Sequence, residues 1–380
     1  MHKAATVMLA LLAGCAAEPV LAPPEELFQD ALFAPPTERI SPTDIFALSD
    51  AMRRFLREQL AGSISVNGAR QTLIDAVTQG QLKLEYDSAR TRTAAEAFDA
   101  RTGNCLSLVI MTAAFAKQLG LQVQYNRAAL ADMWSRDGNI YFLNGHVNVT
   151  LGKRYTDPRT LYDAAETITV DFIPGRELRG LRTRVVEEPT IVAMFMNNRA
   201  AEALVRGRVD DAYWWAREAM RVDPSFMGAY NTLGVLYVRR GELAGAERAF
   251  RRVIVHEPDN TRAWANLALV LARAGRRDEA AAAERELAQL EGAAPFDFFH
   301  RGLAAMEAGD FRGARALFAR EVARAPEYHE FHFWLGLAEF RLGNLARARA
   351  ELEAALENST TPHEHDLYAT KLQRLSLLQH

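Results

Sequence analysis

The chain has 380 residues, of which 49% are hydrophobic, 24% charged and 9% aromatic, enough apolar material for more than one core. Its formal net charge is -3, with 45 Lys and Arg against 48 Asp and Glu. No basic surplus exists to bind a phosphate backbone, so nucleic acid is not an expected partner.

The opening carries His2 and Lys3, an apolar run from Ala4 to Leu12, and then Leu12-Ala13-Gly14-Cys15, which together read as an export signal. The apolar run is too short to span a bilayer. Its last four residues resemble the bacterial lipoprotein box, in which the peptidase cuts before the cysteine and the sulfur is acylated; ordinary signal cleavage after Ala17 is the alternative. The resemblance implies a signal over 1–14, lipidation at Cys15 and attachment to a membrane through the acyl chains, facing the periplasm. In a host with two membranes, Ala16 in place of an aspartate points to the outer one. With Cys15 acylated, Cys105 is the only thiol left, so a structural disulfide is excluded. Residues 15–42 hold six prolines and no continuous period, and are expected to be a tether with one short helix over Glu25–Leu32.

From Thr43 the apolar residues Ile45, Leu48, Met52, Phe55, Leu56 and Leu60 recur at helical spacing, and a second helix is predicted over Ala69–Gln79. Leu82–Tyr86 is ambiguous between strand and loop. Thr93-Ala94-Ala95-Glu96 is a capping box that starts a short helix. That helix leads into Arg101-Thr102-Gly103-Asn104-Cys105, where Gly103 and Asn104 are turn and cap residues able to take unusual backbone angles. From Leu106 to Leu119 the chain is apolar and helical, stopping at Gly120. Cys105 therefore sits at the positive end of a helix, where aligned N–H groups favour a thiolate. Strands are predicted at Gln122–Asn126, Tyr141–Leu143, His146–Leu151 and Thr167–Phe172. Residues 43–189 are thus expected to form a mixed domain, helices first and then an antiparallel sheet.

The remainder is periodic. Gly207, Gly241, Gly275, Gly309 and Gly343 follow one another at a constant step of 34 residues, as do Ala212, Ala246, Ala280, Ala314 and Ala348. Ala200, Gly234, Ala268, Gly302 and Gly336 keep the same step where two helices must approach closely, and Pro224, Pro258 and Pro326 end repeats. This is identified as the tetratricopeptide pattern of two antiparallel helices per unit. Five repeats are expected over 193–362, the first degenerate at Met196, and 363–380 is expected to be a closing helix.

After Cys105, His146 opens one predicted strand and Asp171 falls near the end of a later one. Each alone has an ordinary packing or capping role; in this order and context they supply a thiol, a base and a carboxylate for acyl transfer. The runs Thr93–Phe98, Arg101–Cys105, Gly145–Val149 and Val170–Phe172 resemble the transglutaminase-like superfamily, whose arrangement is papain-like, over roughly residues 85 to 175. The resemblance implies an α+β papain-like fold followed by an all-α tetratricopeptide superhelix, with Cys105 as nucleophile, His146 as general base and acid, and Asp171 as the orienting carboxylate. It also implies an oxyanion site at the Cys105 N–H, with Tyr86 and Asn104 as candidates for the second donor. Gly152 to Glu166 is an added loop between His146 and Asp171 relative to many members.

His329-Glu330-Phe331-His332 lacks the spacing of a zinc protease helix, and His363-Glu364-His365 reads as a solvated linker, so no metal site is expected. Trp214 and Trp215 read as packing residues. The expected function is a lipid-anchored thiol enzyme acting on amide bonds of peptides or proteins, as protease, amidase or acyl transferase. It requires no cofactor, and its repeats recruit a protein partner or substrate. The alternative is an envelope scaffold in which the repeats bind a protein and the front domain is degenerate. A peptidoglycan-processing accessory would differ only in substrate.

Overall fold

The computed structural model describes residues 22–78, 80, 82–128, 134–137, 140–143, 146–154, 167–172, 183–290 and 296–377. The expected signal and Cys15 lie outside the described residues.

Helices come first, as expected. Ser49 accepts from the Met52 N–H to cap α1 (Asp50–Phe55), which continues through a π turn at Leu56–Leu60 into α2 (Ala61–Asn67). The helix expected from Thr43 thus begins at Asp50, and Pro42–Asp44 forms a separate 3-10 turn. There follow α3 (Ala69–Thr78), β1 (Glu85–Tyr86), α4 (Ala94–Ala100), β2 (Thr102–Gly103) and α5 (Cys105–Gln118). Every residue of α5 from Cys105 to Ala116 is buried, as a helix apolar on nearly every side requires.

The sheet packs on α5. Its strands β3 (Leu121–Ala128), β6 (Val147–Arg154), β7 (Ile168–Val170) and β8 (Thr183–Val186) lie in the order β7-β6-β3-β8, all antiparallel. A separate hairpin joins β4 (Trp134–Asp137) to β5 (Ile140–Leu143). Val147, Val149 and Leu151 are fully buried on one face of β6, so Asn148 and Thr150 turn to the other.

Five helix pairs complete the chain: α6 (Glu188–Val205) with α7 (Val209–Val222), α8 (Met227–Arg240) with α9 (Leu243–His256), α10 (Thr261–Arg273) with α11 (Arg277–Leu290), α12 (Asp297–Glu307) with α13 (Phe311–Arg324), and α14 (His329–Arg341) with α15 (Leu345–Glu357). A closing helix, α16, runs over Pro362–Leu377. The five glycines at the 34-residue step all take φ between 75° and 82°, the left-handed exit from the first helix of each pair. At the crossings, a Cβ on Gly234 would lie 2.4 Å from Phe250, and one on Gly302 would lie 2.5 Å from Phe318.

Residues 22–42 are not a free tether where they are described. Two 3-10 turns, Glu25–Leu27 and Asp30–Leu32, replace the single expected helix, and Leu27 and Phe33 are buried. Phe33 stacks on Tyr213 at 3.9 Å, Trp214 donates to the Ala34 carbonyl, and Trp215 donates to Glu38. The tryptophans are packing residues, and what they pack is this strap. One contiguous core runs from Leu27 through the front domain to Ala283 in the third repeat, while the fourth and fifth repeats have their own. The far end of the superhelix also returns to the front domain: Ser88 donates from its backbone N–H to the Thr360 carbonyl (3.1 Å), and the two hydroxyls lie 3.0 Å apart.

The crossing geometry sets a stability prediction. Gly234→Ala forces a methyl into Phe250 and should cost about 1–3 kcal/mol in urea unfolding. Gly62→Ala, where a Cβ meets nothing within 4 Å, should instead raise stability by about 0.5–1 kcal/mol.

Candidate active site

Cys105 is the first residue of α5, and the preceding turn is built to hold it there. Arg101 takes the left-handed conformation that ends α4 (φ 56°), and β2 pairs parallel with β1, Tyr86 opposite Gly103. Gly103 is needed for space rather than for its backbone angle, since a Cβ would stand 2.7 Å from Ser107 Cβ. Asn104 caps the helix: its Oδ1 accepts from the Ser107 N–H (2.9 Å) and the Ser107 hydroxyl (2.8 Å), and its Nδ2 donates to Thr91 Oγ1 (2.9 Å). Thr91 is in turn held by the first repeat, accepting from Asn198 Nδ2 (3.2 Å) and donating its N–H to Glu202 (2.6 Å).

His146 precedes β6 directly and continues its alternation, facing the same way as Asn148 and Thr150. Its Nε2 donates to Asp171 Oδ2 at 2.6 Å, and its side chain is fully buried. Asn148 also donates to that carboxylate oxygen (3.2 Å), and Asn126, opposite it on β3, donates to Asn148 Oδ1 (2.9 Å). Burial alone would pull the His146 pKa down. The Asp171 hydrogen bond and the adjacent Cys105 outweigh it and push the value up to about 9, which favours the protonated ring. The other ring nitrogen, Nδ1, is buried and makes no well-formed hydrogen bond, and Cys105 is the neighbour left to engage it. Cys105, His146 and Asp171 are therefore brought together, the added loop notwithstanding.

Of the two candidate second donors, Asn104 is spent on Thr91 and Ser107. Tyr86 stands beside the sulfur. Burial, then the neighbouring Cys105, hold its hydroxyl far above the usual phenol range against the pull of the Cys105 backbone N–H. It stays a protonated donor. Cys105 itself, only 7% exposed, borders a cleft that opens to solvent. Tyr86, Cys105 and Arg127 line it from the front domain, and Asn197, Asn231 and Arg262 from the repeats.

The two fifth-repeat histidines are committed elsewhere. His332 bonds Glu351 and the Pro326 carbonyl, each at 2.7 Å, and His329 bonds the Tyr368 hydroxyl at 2.7 Å. Sequence reasoning missed Asn126 and Asn148, although polar residues alternating with valines after His146 are their signature. It also missed the repeat asparagines, whose neighbourhood to Cys105 depends on how the superhelix docks.

Comparison with known proteins identifies the periodic region. The tetratricopeptide repeat family profile matches residues 231–298 and 299–361. The chain is similar in structure to a thermophilic tetratricopeptide protein of Thermus thermophilus, TTC0263, at 18% identity and a TM-score of 0.31, over 48% of this chain and 99% of that one. It is similar to PilF of Pseudomonas aeruginosa at 17% identity and 0.28, over 50% and 94%. A third, YrrB, described as a tetratricopeptide protein with an unusual peptide-binding site, aligns at 20% identity and 0.26, over 47% and 92%. No curated protein matches the chain. The C-terminal region is thus a tetratricopeptide superhelix, a class of repeat that mediates protein–protein interaction through an extended concave surface.

The site makes a titration prediction. In Asp171→Asn the hydrogen bond that offsets burial is weakened, so the His146 midpoint should fall well below 9 in NMR of histidine-labelled protein. A midpoint left near 9 would show that Asp171 does not hold the proton.

Proposed function

We propose that the chain is an exported thiol enzyme of the transglutaminase-like class that cleaves or transfers amide bonds of peptides or proteins, with its repeats bringing in the polypeptide. The observation that carries this reading is the buried His146 ring, held by Asp171 at 2.6 Å with Cys105 as its neighbour. In the proposed chemistry the Cys105 thiolate attacks an amide carbonyl carbon. The oxyanion forms at the Cys105 N–H and the Tyr86 hydroxyl. His146 passes its Nδ1 proton to the departing amine as the C–N bond breaks, leaving a thioester on Cys105. His146 then takes a proton from water or from a second amine, which attacks the thioester and frees the thiol. Water makes the enzyme a protease or amidase, and an amine makes it an acyl transferase. This chemistry needs no metal or organic cofactor.

Lipidation at Cys15 and a periplasm-facing, outer-membrane location belong to the same proposal and rest on Leu12-Ala13-Gly14-Cys15. Among the described residues no helix is long and apolar enough to cross a membrane. A second reading, a non-catalytic scaffold, is favoured by the profile match, which covers repeats alone.

Alkylation of Cys105 by iodoacetamide across pH separates the two. The enzyme reading predicts reactivity persisting well below the free-thiol value of about 8.5, and its loss toward ordinary behaviour in His146→Ala. A wild-type profile centred near the free-thiol value would leave the scaffold.

A further inference from the structure

The cleft beside Cys105 has two walls of different origin, and their polar groups are unevenly spent. On the repeat wall, Asn197 Oδ1 accepts from the Thr232 hydroxyl (2.7 Å) and Asn231 Oδ1 accepts from Asn266 Nδ2 (3.0 Å). Those bonds orient both carboxamides and leave each Nδ2 without a hydrogen bond among the described residues. The two residues occupy equivalent places on α6 and α8, which pack as neighbours. Packed helices stand about 8–10 Å apart. An extended chain of polyproline type rises about 3.1 Å per residue and returns to the same side every third residue, so carbonyls three residues apart match that spacing. On the front wall, Arg127 makes no ion pair among the described residues. Glu257, the carboxylate among the residues lining the cleft, is engaged by Asn260. A guanidinium lining a half-closed cleft can bind a carboxylate brought in from outside.

We propose that the cleft is a single composite substrate site, in which an extended peptide lies across the Cys105 sulfur with backbone carbonyls on Asn197 and Asn231 and a carboxylate on Arg127. The repeats are then the specificity wall of the thiol site rather than a remote recruiting arm. This deepens, and rests on, the proposal that Cys105 is the reacting atom. The carboxylate can come from an acidic side chain or from the peptide C-terminus.

The test is protection of Cys105 from iodoacetamide in the full chain, followed by mass spectrometry. Three capped hexapeptides serve as probes: alanine with one central glutamate and an amidated end, all-alanine with a free carboxylate, and all-alanine amide. The two carboxylate peptides should slow labelling at about tenfold lower concentration than the amide. Which of the two is stronger tells the side chain from the terminus. Arg127→Gln should abolish that difference, whereas Asn197→Ala with Asn231→Ala should weaken all three peptides by about tenfold. Unchanged circular dichroism and Tm show that the superhelix is intact in the variants. Equal protection by all three peptides, protection indifferent to Arg127 or to the asparagines, or no protection at millimolar peptide would overturn the proposal. Labelling without peptide reports the reactivity of the thiol separately, so an unactivated cysteine and a wrong cleft give different results.

Discussion

The arrangement around Cys105 depends on one helix belonging to two bodies. α6 is the first helix of the superhelix, yet Ile191, Ala193, Met196 and Ala200 are fully buried in a core continuous with the front domain. Through Asn198 and Glu202 it also holds Thr91, which holds the Asn104 cap of α5. Separating the repeats from the front domain would expose this apolar face and loosen the turn that presents the sulfur. The N-terminal strap across α7 and the Ser88–Thr360 contact bind the two parts at further points. The front domain and the repeats are therefore one mechanical unit.

A second constraint is electrostatic. Taking an imidazole fully out of water disfavours its charge, and here the Asp171 carboxylate at hydrogen-bonding distance, with the adjacent Cys105, reverses the balance. Asp171 is kept in orientation by Asn148, and Asn148 by Asn126, on a sheet face where valine or isoleucine would pack at lower cost. Thr150, bonded to Asn126 and Thr169, extends the same polar file. A buried hydrogen-bonded file of this kind specifies a side-chain position more than it adds stability.

Much of this was legible in the chain itself, for physical reasons that differ by region. The superhelix was readable because each unit repeats the same steric demands: a left-handed exit at Gly241 and its equivalents, and a small residue at each crossing. The capping box at Thr93 and the cap at Asn104 were readable because they are local. The strap was misread as a tether, since its prolines broke any period and its partners, Tyr213 and Trp214, lie about 180 residues away. β8 was missed because Thr183–Val186 is short and mostly exposed. Gly103 was assigned to the turn correctly but for a different reason, close approach rather than a positive φ. The cleft was illegible because its two walls come from segments joined only by tertiary packing.

A superhelix of a protein-binding class is fused to a module in which a thiol, an imidazole and a carboxylate converge beside the first repeats. The most direct measurement of the central claim is intact-mass spectrometry of the full chain after reaction with a peptide carrying an acylating electrophile. The account predicts a single acyl adduct on Cys105 that forms in the wild type, fails in Cys105→Ala and is strongly reduced in His146→Ala. An adduct that is absent, or that forms equally well without His146, would contradict it.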